Sequence, residues 1–261
     1  MKQNTLLASL CLAAACVCAQ STPDQNHFAV AFSNAVTRAS ALVENADKAF
    51  PEHFRHENAI RRGTEFDPNS FFSILTHLKI RNGVTLDYVY RYTGLGGWPC
   101  LYVRPQNGER LATFEQYKAT YPDGVTQAAR LKHIETDASV EALAELMAFV
   151  EYHTYFYNRW HDWLHKEIIL SDKQMRAVLD KWWKEPASFD TLEPKERAKA
   201  LATSLSPTLV PSSDGQVDIS FVLFAEGQGI LERKYTVTTA SPHEVVSCTN
   251  HVIVTQGAMV R

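Results

Sequence analysis

Two histidines four residues apart are the clearest candidates for a chemical function in this sequence. His161 and His165 stand in the segment His-Asp-Trp-Leu-His, and a helix would place their imidazoles one turn apart on one face. Neutral imidazoles at this spacing suit Zn²⁺. The pattern therefore predicts a zinc site built on a helix, with a metal-dependent hydrolase as the corresponding function.

The histidines also fit a second interpretation, in which a buried helix carries them as hydrogen-bonded core residues. A stripe at four-residue spacing consists of His153, Tyr157, His161 and His165. The segment resembles the HExxH motif of the zincin metalloproteases, which implies zinc ligation by His161 and His165. It departs from that motif at Asp162, where the family has its general-base glutamate. On a helical wheel Asp162 points away from His161.

A smaller histidine cluster lies upstream. His53, His56 and Glu57 have His-x-x-His-Glu spacing in a charged stretch that follows Pro51 and ends at Gly63. The same residues fit a solvated loop or helix end. Both interpretations stay open at this point.

A cysteine and a distant histidine offer another kind of catalysis. Cys100 follows a Gly-Gly-Trp-Pro turn, and His251 begins a β-prone run. A thiol with an imidazole in reach is the minimum for a cysteine nucleophile. These residues resemble the papain-like cell-wall peptidases, which implies a cysteine hydrolase with Cys100 as nucleophile and His251 as base. The alternative is a structural thiol or a disulfide.

Tryptophans suggest a binding function instead of a catalytic one. Trp98, Trp182 and Trp183 are candidates for stacking on a sugar, since adjacent helix residues such as the last two cannot easily be buried together. Core packing with a satisfied indole N–H is the alternative.

The first nineteen residues predict export. Lys2 precedes an uncharged run from Thr5 to Val17, and Ala19 ends a small-residue cleavage pattern. Residues 1–19 are therefore interpreted as a signal peptide of a secreted or periplasmic protein. Residues 12–16 also resemble the lipobox of bacterial lipoproteins, which implies the alternative of a lipid anchor at Cys16. No run reaches the ~20 apolar residues of a transmembrane helix.

Removing this leader leaves two of the five cysteines, Cys100 and Cys248. Two cysteines in an exported chain predict one disulfide. The formal net charge is −3 and the sequence has no long basic run, so we expect no nucleic-acid partner.

The elements that must position these residues indicate an α+β fold. Residues 20–26 form a disordered tail, residues 27–203 are mainly helical with an inserted β-hairpin near 85–103, and residues 204–216 are a linker. Residues 217–261 form an antiparallel meander, packed on the preceding region as one domain. If Cys100 and Cys248 are bonded, hairpin and meander share one sheet.

Helix boundaries follow from local signals. A helix over 28–50 is indicated by apolar spacing, and a second starts at Asp67 and Pro68 and runs to about Lys79. Capping boxes at Thr113 and Ser171 predict two further starts. The longest helix is expected from Asp137 or Ser139 to about Leu170, and another covers 194–203.

Without a complete catalytic constellation, the leading hypothesis is a non-catalytic envelope or extracellular binding module. Its expected partner is a cell-envelope polysaccharide or another envelope protein. The two hydrolases, one using zinc and the other using Cys100, are the alternatives.

Overall fold

A computed structural model of the chain describes residues 25–57, 59–137, 139–159, 165–184, 192–213 and 215–255, with the backbone alone for 182–184. Helices and antiparallel strands follow one another through these ranges. The α+β class with a C-terminal meander is therefore confirmed. His161, Asp162, Trp182 and Trp183, as well as the expected leader, lie outside the side chains that the structure describes.

Helix α1 (Gln25–Lys48) opens the described chain. Its three-four pattern buries one face, with Phe28, Phe32, Val36, Ala39 and Val43 as its central residues. It begins inside the stretch expected to be a tail, since the Gln25 side chain hydrogen-bonds the backbone of Leu209. This contact ties the start of α1 to the distant C-terminal sheet.

The start predicted at Asp67 is confirmed, but the helix is much shorter than expected. Asp67 accepts the N–H of Asn69, a 3₁₀ turn follows, and α2 covers only Phe71–Ile74. The His77 N–H then donates to the buried carboxylate of Glu145 at 2.7 Å. Strand β1 (Leu78–Ile80) follows, because pairing with a later strand replaces the expected last turns.

The predicted hairpin is present as β2 (Val84–Tyr92) and β3 (Gly97–Pro105). One face places Leu86, Tyr88 and Tyr90 in the main core. Only glycine fits position 97, since a Cβ there would lie 2.6 Å from both the Arg91 carbonyl oxygen and the Tyr90 ring. The hairpin is therefore packed tightly against its surroundings at the point where β3 begins.

Short elements cover the other face of the hairpin and lead to the central helix. Helix α3 (Phe114–Thr120) has the predicted capping box, with Gln116 N–H donating to Thr113 and Ala112 N–H donating to Gln116. Helix α4 (Gln127–Leu131) and strand β4 (Ile134–Thr136), which pairs with β1, follow.

Helix α5 (Val140–Tyr152) corrects the prediction of a helix to Leu170. The chain leaves helical geometry after Tyr152 and takes a left-handed φ of 57° at Tyr157. The Tyr157 N–H donates to the Asp47 side chain at 2.6 Å instead of to a carbonyl one turn earlier. Aromatic packing in the core thus overrides the helical pattern of the sequence.

Five strands form the C-terminal sheet. Strand β5 (Lys166–Ile168) is followed by α6 (Asp172–Lys184), α7 (Pro194–Leu201) and the strands β6 (Thr208–Pro211), β7 (Gln216–Ala225), β8 (Gly229–Thr238) and β9 (Val245–Thr255). Strand β7 pairs with both β5 and β6, and the antiparallel order continues through β8 to β9. The expected linker thus contains a strand, because four of its residues pair with β7.

Two linked expectations are wrong. The hairpin β2–β3 is a sheet of its own and does not extend the C-terminal sheet. Cys100 on β3 and Cys248 on β9 are both free thiols, so the expected disulfide is not formed. The main core still joins the two halves, since Phe32 of α1 packs its ring 4.9 Å from Phe221 of β7.

Within the described ranges, none of the helices combines the length and the apolar character that crossing a bilayer requires.

Candidate functional site

The long helix expected to carry the predicted zinc site ends early, and His161 lies outside the described residues. His165 is exposed just before β5, with its Nε2 3.6 Å from Glu167 Oε2, and α5 ends thirteen residues earlier at Tyr152. His153, in the same expected stripe, is the buried C-cap of α5. Its Nδ1 lies 2.9 Å from the Phe149 carbonyl oxygen, and the Arg130 guanidinium donates to its Nε2. No three metal-ligating side chains converge among the described residues.

The predicted cysteine–histidine pair is not brought together. Cys100 lies on the hairpin face covered by α3, where burial raises the pKa of its thiol to about 11 despite the nearby Arg91 and Arg130 guanidinium groups. His251 is exposed on β9 in the other sheet, opposite Glu232. A thiol this hard to ionise at neutral pH is a poor nucleophile.

Among the candidate tryptophans, the structure describes the side chain of Trp98. It is half-buried on β3, and the guanidinium of Arg91 lies 4.8 Å from its ring centroid. The cation therefore occupies one face of the indole. A sugar could therefore stack only on the part of the Trp98 ring that Arg91 does not cover.

The smaller histidine cluster leads to a better candidate, because His53 lines an open cleft of about 490 Å³. We call it the Glu65 cleft. Helix α1 forms one wall, the loop from Pro51 to Ser70 forms the other, and Tyr157 closes the floor. Its polar lining consists of Asn45, His53, Arg62, Thr64, Glu65, Ser70 and Tyr157. The volume falls in the usual range of ~300–1,000 Å³ for small-molecule sites.

A tight turn fixes the carboxylate that names this cleft. Glu65 is buried and accepts the N–H groups of Arg62 at 2.6 Å and Gly63 at 2.7 Å. Gly63 adopts a φ of 90°, which favours glycine. Burial raises the pKa of Glu65, but the two N–H donors and the nearby Arg61 charge outweigh it and hold the pKa below its usual value. The carboxylate is therefore an ionised anchor of the loop.

The imidazole of His53 stands beside this anchor. Its Nε2 lies 3.1 Å from Glu65 Oε1, within ion-pair distance, but the alignment is not that of a hydrogen bond. The ring also packs against Phe54 with centroids 4.7 Å apart. His53 is thus held in place at the cleft wall with hydrogen-bonding capacity that the described residues do not use.

Tyr157 is the strained element of the site. A left-handed backbone costs a non-glycine residue of the order of 1–3 kcal/mol. Three hydrogen bonds hold it there: its N–H donates to Asp47, its carbonyl oxygen accepts from the Tyr90 hydroxyl, and its own hydroxyl oxygen accepts the Phe66 N–H at 3.1 Å. Burial raises the pKa of the Tyr157 phenol, so its O–H remains protonated and available as a donor.

In the described part of the chain, the one cationic side chain that lines the cleft is that of Arg62. Arg62 is exposed at the rim, and among the described residues no carboxylate pairs with its guanidinium. The Glu65 carboxylate is ionised as well, but both of its oxygens accept backbone N–H groups of the turn. The cleft therefore offers a cation, several neutral donors and acceptors, and the half-buried ring of Phe66.

Sequence reasoning found His53 but missed Asn45, Glu65 and the role of Tyr157. The available signal was the Arg-Arg-Gly-Thr-Glu run at 61–65, where a glycine needed for a turn precedes a carboxylate by two residues. No protein-family model, curated protein or solved structure matches this chain.

Proposed function

We propose that the protein is a non-catalytic binding module of the cell envelope or the extracellular space, and that it binds a small polyhydroxylated ligand in the Glu65 cleft. A fragment of a cell-envelope polysaccharide has the chemistry that the cleft fits best. The observation that carries the proposal is the strained Tyr157 at the cleft floor, held by three hydrogen bonds beside an anchored carboxylate. Strain of this kind clusters at ligand sites.

The polar groups of the cleft suit hydroxyl recognition. Asn45 supplies donors and an acceptor, Thr64 and Ser70 supply hydroxyls, and the Tyr157 phenol supplies a further donor. The ring of Phe66 gives an apolar surface for the C–H face of a sugar. Because these groups lie on a helix and a hydrogen-bonded turn, binding requires little ordering of the protein.

Binding is favoured over catalysis by the state of the acidic groups. Glu65 is ionised and has both oxygens engaged by backbone N–H donors, so it is not poised to donate a proton. His53 lacks the aligned hydrogen bond to a carboxylate that orients a catalytic imidazole. The predicted leader supports a location outside the cytoplasm, where envelope polymers are the abundant ligands.

Calorimetric titration of the chain lacking residues 1–19 tests this function. The probes are soluble fragments of digested sacculi and a panel of neutral and acidic oligosaccharides. The cleft variant Asn45→Ala/Arg62→Ala removes one neutral and one charged partner, so we expect its affinity to fall at least ~10-fold.

Asn34→Ala is the matched control. Asn34 is an exposed asparagine on the same helix, and it lines two other clefts beside α1 instead of the Glu65 cleft. We expect this variant to bind like the unaltered chain. Lack of binding by the unaltered chain, or a larger loss in Asn34→Ala than in the cleft variant, contradicts the proposal.

A further inference from the structure

The outer strand of the C-terminal sheet is open to pairing. Strand β9 pairs with β8, and within the described part of the chain no other strand or backbone hydrogen bond reaches its outer edge. Seven consecutive residues, 246–252, are exposed. The register against β8 is regular from Ser247 to Val252 and shifts at each end. Along this stretch, the backbone groups that point away from β8 therefore have no paired strand among the described residues.

Apart from the register shifts at its two ends, the open stretch lacks the features that usually protect such strands. Natural edge strands are short, or carry Lys, Pro or inward-pointing charges, which prevent pairing with another chain. Residues 246–252 read VSCTNHV and contain no Lys, Arg, Asp, Glu or Pro. The opposite edge of the sheet is formed by β5 and β6, which both pair with β7. These strands have only three and four residues, respectively. Within the C-terminal sheet, the long edge is thus confined to β9.

Exposed apolar side chains concentrate on the same strand. Val246 is 53 % exposed and Val252 is 45 % exposed, and they are two of the six large hydrophobic side chains exposed among the described residues. They stand near the two ends of the open stretch. Cys248, an exposed thiol, lies between them.

We propose that β9 pairs antiparallel with β9 of a second copy of this chain, about a two-fold axis at Thr249. This register brings Cys248 of one copy opposite Asn250 of the other and sets Val252 beside Val246, which lies at a register shift of β9. A two-fold interface must be self-complementary, and a strand without charges meets its copy without like-charge repulsion. The result is one sheet that continues across both copies.

The second copy is favoured over a foreign strand by this self-complementarity. Apolar residues at both ends and polar residues between them form a palindromic pattern about Thr249. Pairing satisfies the free backbone groups of both copies at once and removes two exposed edges.

Analytical ultracentrifugation of the chain lacking residues 1–19 tests the proposal by measuring its mass in solution. Concentrations from ~1 to ~100 µM cover the dissociation constants expected of a weak dimer. We expect a monomer–dimer equilibrium. Val252→Glu places a carboxylate against the valine of the other copy and should weaken the dimer at least ~10-fold.

The matched control is Val210→Glu. Val210 is 49 % exposed on the short strand β6, so the substitution and the exposure are alike and only the strand differs. This variant should dimerise like the unaltered chain. Amide hydrogen exchange in residues 247–252 should also slow as the unaltered protein is concentrated.

A chain that stays monomeric at every concentration overturns the proposal. A dimer that Val252→Glu leaves intact overturns it as well. Circular dichroism verifies that both variants are folded. Neither outcome depends on ligand binding in the Glu65 cleft.

Discussion

Replacing Glu151 by glutamine should destabilise the fold far more than the same change at an exposed glutamate. Glu151 lies in the last turn of α5 and is 2 % exposed. Its carboxylate accepts hydrogen bonds from Lys166 Nζ at 2.7 Å, from Arg233 Nη1 at 2.8 Å and from the Tyr235 hydroxyl at 2.5 Å. Three elements, α5, β5 and β8, therefore meet at one buried anion.

The magnitude follows from what the substitution leaves behind. Glu151→Gln keeps the shape but removes the charge, so Lys166 and Arg233 remain mostly buried without a counterion. Breaking a buried ion pair in this way costs about 3–5 kcal/mol. For a chain of this size, that corresponds to a fall in Tm of roughly 10 °C.

The pH dependence carries a second signature. Burial raises the pKa of Glu151, but the charges of Lys166 and Arg233 outweigh it and hold the pKa below its usual value. A carboxyl with a depressed folded pKa contributes stability that is complete above its unfolded pKa of about 4.3 and is lost as pH falls through the folded value. Glu151→Gln should therefore flatten the acid limb of stability against pH.

Urea denaturation measured from pH 7 down to pH 3 gives both the loss of unfolding free energy and its dependence on pH. The control is Glu232→Gln, an exposed glutamate on β8, where we expect a change within about 0.5 kcal/mol. If Glu151→Gln unfolds at the same urea concentration as Glu232→Gln at pH 7, the buried cluster does not stabilise the fold as argued.

Three further predictions follow from single groups. The imidazole of His153 should stay neutral at physiological pH, because burial and the Arg130 charge lower its pKa to about 3. The stability that the neutral imidazole contributes to the fold is complete above about pH 6.5 and is lost as pH falls toward 3. An NMR titration midpoint near 6.5 would refute this prediction. Tyr157→Phe should lower the free energy of unfolding, measured by urea denaturation, by about 1–3 kcal/mol, since it leaves the Phe66 N–H without its acceptor. Tyr121→Phe should lower it much less, because the Tyr121 hydroxyl has no hydrogen bond among the described residues. Equal losses would argue against a structural role for the Tyr157 hydroxyl at the cleft floor. In the chain lacking residues 1–19, thiol titration should count two free thiols, with Cys248 reacting fast and Cys100 slowly; finding none would restore the disulfide.

Local signals in the sequence predicted local structure well. The caps at Asp67, Thr113 and Ser171 form the expected hydrogen bonds, because each depends on residues within four positions. The hairpin followed from alternation and a glycine-rich turn. The meander followed in the same way.

Structure that depends on distant partners was not predictable. Residues 153–157 carry no proline or glycine, so nothing local marks the end of α5, and the turn forms because Asp47 and Tyr90, far away in the chain, bind the Tyr157 backbone. In the same way β6 exists because β7 offers a partner.

The candidate site shows the same division. His53 stood out because of its residue type and spacing. Glu65 and Asn45 could not be recognised, since their roles depend on the packing of the 51–70 loop against α1. The Arg-Arg-Gly-Thr-Glu turn was the one local trace of this arrangement.

Amide chemical-shift mapping with the oligosaccharide panel tests the central claim most directly, because it reports where a ligand binds as well as whether it binds. We predict saturable shifts at the amides of Asn45, Thr64 and Ser70, larger for acidic than for neutral oligosaccharides because of Arg62. These shifts should vanish in Asn45→Ala/Arg62→Ala. Saturable shifts confined to another surface, such as the hairpin face around Trp98, or none with any member of the panel, would contradict the account.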